Sequence, residues 1–156
     1  MTEKNKKEKK YDRLFTQIEA LVTDIKSPLS RMATINAVLH HKMKDFFWTG
    51  FYLLHDGDLL VGPYQGPLAC LKLKKNTGVC WAGINSQKPV IVGDVHSFPG
   101  HIACDSRSKS ELVVPLFNNQ NQITGVIDID SDSLQNFDET DAAGIQKILD
   151  LVYRDL

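Results

Sequence analysis

The chain has 156 residues, enough for one domain with a real hydrophobic core. Its 42% hydrophobic and 24% charged residues are ordinary for a globular protein, and a net charge of −1 excludes general nucleic-acid affinity, which needs a strong basic bias. No apolar run reaches membrane-spanning length and nothing at the start resembles a signal peptide, so a cytoplasmic protein without a membrane segment is expected.

In chain order, residues 1–10 are polar and lysine-rich, the composition of a flexible, solvated tail. Residues 11–156 are expected to form a single domain. Leu14, Ile18, Leu21, Val22 and Ile25 recur at helical spacing. Ser27-Pro28 then breaks the pattern. A second helix follows to about Lys42, with Met32, Ile35, Val38 and Leu39 as its stripe and His40 and His41 on the surface at its end. From Phe46 to Leu54 the residues are strand formers. Parity places Phe47, Phe51 and Leu53 toward a core and Trp48 and Tyr52 together on the other face, around Gly50. Both aromatics read equally as plain core. His55-Asp56-Gly57-Asp58 is a hairpin turn leading to a returning strand. Ala69 to Lys75 alternates, which sets Cys70 on the polar side of a strand and Leu71 with Leu73 on the apolar side. Thr77 suits the cap of a short helix whose first turn holds Cys80, where the helix start favours a thiolate. Pro89 to Val92 is a short strand. After a long loop, two more strands put Leu112, Val114, Leu116, Ile127 and Ile129 on one side and Glu111, Asp128 and Asp130 on the other. A last helix begins near Phe137, with Ile145, Ile148, Leu149 and Val152 as its stripe.

These elements describe an α+β domain: a central antiparallel sheet of about six strands, with the N- and C-terminal helices packed on one face. The other face collects Trp48, Tyr52, Cys70, Glu111, Asp128 and Asp130 as a candidate pocket. Over it lies the loop from Gly93 to Glu111, too long to be mere connection, anchored by Val95, Phe98, Ile102 and Ala103 and carrying Cys104. Three cysteines are an odd number, which excludes a closed disulfide framework unless one thiol is left over. His101, Arg107 and Lys109 are cations near enough in sequence to favour a Cys104 thiolate. Glu111, Asp128 and Asp130 are candidate proton donors, since paired carboxylates on one strand face repel and raise a pKa. The same two aspartates read otherwise as surface charges at a strand end. Three further readings remain open. Cys104 with His96 and His101 is a conceivable zinc set, though the spacing fits no compact signature. A cysteine hydrolase with His101 as base leaves two thiols idle. A non-catalytic module binding a small ligand fits the composition equally.

Several runs carry a family likeness: Trp48-Thr49-Gly50-Phe51-Tyr52, Gly62-Pro63-Tyr64-Gln65-Gly66, Gly78-Val79-Cys80, Asp94 through Asp105, Ser110 through Leu116, and Gly125 through Ser131. In these the sequence resembles the free methionine-(R)-sulfoxide reductases, single GAF domains. The resemblance spans nearly all of the chain after about residue 30. It implies a thiol-dependent reductase acting on free methionine-(R)-sulfoxide, with Cys104 as nucleophile. It also implies that Cys70 resolves the sulfenic acid as a disulfide, with Cys80 as a further or alternative partner. Trp48, Tyr52, Glu111, Asp128 and Asp130 would bind substrate, with Glu111 as a proton donor. The resemblance implies thioredoxin as the external reductant, no bound cofactor or metal, and a homodimer. Two positions depart from the family pattern: Trp81 after Cys80, and Gly93 before Asp94.

Overall fold

The computed structural model describes residues 1–101 and 104–156. The elements run α1 (Glu3–Val22), α2 (Pro28–Lys42), β1 (Trp48–His55), β2 (Asp58–Gln65), β3 (Lys72–Leu73), α3 (Gly78–Ser86), β4 (Val90–Val92), a single 3₁₀ turn (Val95–Ser97), β5 (Ser110–Phe117), β6 (Ile123–Ser131) and α4 (Glu139–Leu149). The strands form one antiparallel sheet in the order β3-β2-β1-β6-β5-β4. The expected α+β architecture is thus the observed one.

Period two divides the sheet. Phe51, Leu112, Val114, Leu116, Ile127 and Ile129 point to one face and meet Leu14 and Ile18 of α1, Ile35 and Leu39 of α2, and Ile145 and Ile148 of α4. Each such buried side chain stabilises the fold by roughly 1.5–3 kcal/mol. The second face carries Trp48, Tyr52, Val113 and Val126. It is not left uncovered: α3 lies on it, packing Val79, Cys80, Trp81 and Ile84 against the sheet. Gly83 permits that approach, because a Cβ there would stand 2.7 Å from Val113 Cγ1.

Three expectations are corrected. Residues 3–10, expected as an unstructured tail, are largely exposed as expected but form the first turns of α1. The Thr2 hydroxyl caps them by accepting from Asn5 N–H at 3.2 Å, and Lys6 pairs with Glu3 at 2.8 Å. Lys7 then reaches α4, where it meets Asp138 at 2.9 Å and the buried Asp141 at 2.8 Å. Tyr11 donates its hydroxyl proton to the same Asp141 at 2.8 Å. Lys7, which looks solvated in sequence, is therefore held by acids 131 and 134 positions away.

The strand expected over residues 69–75 shrinks to Lys72–Leu73. Cys70 sits in the irregular segment before it, and Leu71 is 73% exposed and not in the core. At the start of β1, Phe46 enters the helix-side core while Phe47 turns to the pocket side. The alternation that places Phe47 with Phe51 begins only at Trp48, the first residue of the strand. Ile102 and Ala103, expected as loop anchors, lie outside the described residues. Val95 is buried and Phe98 packs on the pocket-side cluster.

Candidate active site

The pocket forms where β1, β6 and β5 lie side by side. Register sets Trp48 beside Asp130, Gly50 beside Asp128, and Glu111 beside Asp130. Trp48, Tyr52, Glu111, Asp128 and Asp130 thus converge on one concavity. The start of α3 supplies Cys80 to the wall, and the long loop supplies His101, Cys104 and Asp105.

Trp48 stacks on Tyr52 at 5.8 Å and on Tyr64 at 5.2 Å. The indole lies over Gly50, where a Cβ would collide with it and with Tyr64. The glycine is therefore filled over by a ring rather than leaving a gap. Both aromatics also have polar ends turned to the pocket rim. Trp48 Nε1–H donates to Pro67 C=O at 3.0 Å, and Tyr52 O–H donates to Cys70 C=O at 2.9 Å. Those bonds hold the segment carrying Cys70 across the mouth. Sequence reasoning missed this bracing. Its signal is faint: Gly66-Pro67 reads only as a turn.

Cys70 and Cys104 are joined as a disulfide, with their Cα atoms 5.7 Å apart. Cys80 is the free cysteine and is buried. The helix start does not make it a thiolate. Burial pushes its thiol pKa well up, and the facing Asp128 and Glu111 raise it further. The Thr77 side chain also makes no capping bond to α3.

The acids are strongly perturbed. Glu111 is 5% exposed, and burial pushes its carboxyl up to about 8, with Asp130 adding to the rise and the adjacent Asp128 carboxyl partly opposing it. Burial also raises Asp128 and Asp130 well above the carboxylate range; Glu111 adds to the first and Asp128 to the second. They are not surface charges at a strand end. Glu111 Oε2 and Asp128 Oδ1 are buried without a hydrogen-bond partner among the described residues. His101 Nε2 stands 3.6 Å from Glu111 Oε2, too far for a hydrogen bond and an ion pair only with a charged ring. Burial lowers the imidazole pKa, partly offset by Asp128, so the ring is neutral at pH 7.

The other charged neighbours of Cys104 point elsewhere. Arg107 is committed to Asp105, at 2.7 Å, and covers the Phe47 ring at 4.7 Å. That guanidinium holds Asp105 down to about 2. His96 is exposed and bonds to Asp94 at 3.1 Å. The zinc set of Cys104, His96 and His101 is not assembled, since Cys104 is in the disulfide and His96 faces solvent. His40, expected on the surface, is half-buried and sits 3.1 Å from the Thr49 hydroxyl.

A six-stranded sheet with helices on one face and a pocket on the other defines the GAF class of α+β domain, and residues 33–152 match the family model described as GAF domain. GAF domain-containing protein A of Dictyostelium discoideum is 45% identical over 150 residues, covering 96% of this chain and 94% of that protein. The free methionine-R-sulfoxide reductase of Escherichia coli is 40% identical over 139 residues, covering 89% and 84%. The X-ray structure of free methionine-R-sulfoxide reductase from Neisseria meningitidis in complex with its substrate superposes with a TM-score of 0.86 at 40% identity, covering 91% of this chain and 85% of that one. The chain belongs to the GAF-domain family and, within it, to the free methionine-R-sulfoxide reductases.

Proposed function

We propose that this protein reduces free L-methionine-(R)-sulfoxide to methionine with Cys104 as nucleophile. The observation that carries the reading is the Cys70–Cys104 disulfide at the mouth of a pocket walled by aromatic rings and buried acids. Two thiols close enough to bond, on separate loops over a binding site, are what a resolving step needs.

The Cys104 thiolate attacks the sulfoxide sulfur, and as the transient S–S bond breaks the protonated oxygen passes from the substrate sulfur to Cys104 Sγ. Methionine leaves carrying the two electrons, and Cys104 becomes a sulfenic acid. The Cys70 thiol then displaces water from that sulfenic acid, forming the disulfide. An external dithiol, thioredoxin, takes over the disulfide by exchange and returns both cysteines to thiols. Such a reductant suits a cytoplasmic setting.

The acids divide the remaining work. Glu111, with its carboxyl near 8, is protonated at neutral pH and can donate to the sulfoxide oxygen as the S–O bond weakens. Asp128 and Asp130 take the substrate ammonium, whose positive charge favours their ionised forms on binding. The stacked Trp48 and Tyr52 receive the methyl and thioether end, by apolar burial and sulfur–aromatic contact. Cys80 is the free cysteine, buried beside Glu111 and Asp128 while Cys70 holds the disulfide to Cys104, so Cys70 is the resolving thiol in this reading.

The test is an epimer assay. With dithiothreitol as reductant, separate R and S forms of free methionine sulfoxide are incubated with the protein and methionine is followed. Loss of the R form alone, abolished by Cys104→Ser, is expected. Equal loss of both forms, or full activity in that variant, overturns the reading.

A further inference from the structure

The buried thiol of Cys80 has no step in the chemistry above, yet it forms a compact cluster. Its Sγ and one carboxylate oxygen each of Glu111 and Asp128 all lie within 4.8 Å of one another, and all three residues are buried. A tetrahedral zinc site with bonds of about 2.0–2.3 Å spaces its ligand atoms roughly 3.5 Å apart. A bound ion at that spacing would draw the three atoms in from separations of up to 4.8 Å. A second observation points to a ligand here: Glu111 and Asp128 are 5% and 6% exposed, and each has a buried oxygen without a hydrogen-bond partner among the described residues. Buried oxygens in that state favour a partner that carries positive charge.

We propose that Cys80, Glu111 and Asp128 form a binding site for a thiophilic divalent cation, Zn²⁺ by preference, and that the bound ion closes the pocket to substrate. The set is one sulfur and two oxygens. The thiolate discriminates against Mg²⁺ and Ca²⁺, which take oxygen ligands, and favours zinc and its borderline neighbours. Three protein ligands leave a fourth position facing the cavity. A further donor on the pocket wall is His101 Nε2, 3.6 Å from Glu111 Oε2. Binding releases the thiol proton to solvent. The three residues stand in this arrangement with the Cys70–Cys104 disulfide formed, so the site exists in the oxidised protein. The competition with substrate rests on the proposed function, because it needs Glu111 and Asp128 to bind sulfoxide. The metal site itself does not.

The oxidised protein gives a clean test, because its disulfide leaves Cys80 as the single thiol. Metal-free oxidised protein is titrated with Co²⁺ and the near-ultraviolet thiolate-to-cobalt charge-transfer band is recorded, then Zn²⁺ is added. A band saturating at one ion per chain and bleached by Zn²⁺ is expected. Cys80→Ser should abolish the band and weaken Zn²⁺ binding, followed by calorimetry, by at least roughly the tenfold to hundredfold that even an outer-shell loss causes. Should that variant fail to fold, the wild-type band decides alone. No band in the wild type, or Zn²⁺ affinity unchanged in Cys80→Ser, overturns the proposal and marks any binding as a surface event. Free methionine-(R)-sulfoxide should raise the Zn²⁺ needed for half-saturation. If the cobalt band forms and sulfoxide has no effect, the shared-pocket clause and the substrate assignment fail while the metal site stands.

Discussion

Replacing Glu111 by Gln should make the protein more stable while making it a worse enzyme. The Glu111 carboxyl ordinarily titrates at 4.5 and is pushed up to about 8 in the fold, chiefly by burial. Between those values the unfolded chain has lost a proton that the folded protein keeps. Each pH step in that window therefore costs the folded state about 1.4 kcal/mol relative to its acid form. Because the folded pKa is the higher, stability is greatest below pH 4.5, falls as pH climbs, and levels off above about 8. At pH 7 the accumulated cost is about 3 kcal/mol, and the neutral amide of Glu111→Gln does not incur it. Urea unfolding of both proteins from pH 4 to 9 measures this directly. The two curves should meet near pH 4 and diverge to about 3 kcal/mol at pH 7. The same substitution should cost roughly 100-fold or more in kcat, and the fall of wild-type kcat above about pH 8 should vanish with it. Stability curves that stay parallel across the range would refute the reasoning, for Glu111 would then be ionised in the fold.

Three further expectations follow from the same geometry. Oxidation of Cys70 and Cys104, 34 positions apart, closes a loop worth about 4 kcal/mol by chain entropy. The urea midpoint should therefore drop on reduction in the wild type and be insensitive to reductant in Cys104→Ser, and identical wild-type midpoints would contradict this. Tyr52→Phe removes the hydroxyl that braces the Cys70 carbonyl, a bond worth about 1 kcal/mol. Disulfide formation after sulfoxide addition should slow about fivefold, seen as more trapped sulfenic acid by mass spectrometry; an unchanged rate would show that the brace is idle. Phe51→Ala should cost about 3–5 kcal/mol in urea unfolding, because Phe51 is fully buried between sheet and helices, and a loss under 1 kcal/mol would mean that the core re-closes.

The sheet and its two faces were legible because period two is written plainly in residues 110–116 and 125–130. The carboxylates Glu111, Asp128 and Asp130 fall opposite an unbroken apolar row, and neighbouring registers then bring them together. Cys70 was harder. Its alternating neighbours imitate a strand, yet Gly66-Pro67 starts an irregular crossing that only the Trp48 and Tyr52 bonds define. Cys80 shows a local rule losing to a tertiary one: a helix start favours thiolate, but burial against two acids decides the protonation state. The first turns of α1 were illegible for a related reason. Lys7 and Tyr11 find Asp141 across the fold, a pairing that no window of sequence contains.

A single turnover without external reductant tests the central claim most directly. Fully reduced protein is mixed with excess free methionine-(R)-sulfoxide, then methionine is quantified and the cysteines are mapped by mass spectrometry. One methionine per chain, with Cys70 bonded to Cys104 and Cys80 still a thiol, is the predicted result. No methionine, or a disulfide that includes Cys80, would contradict the account.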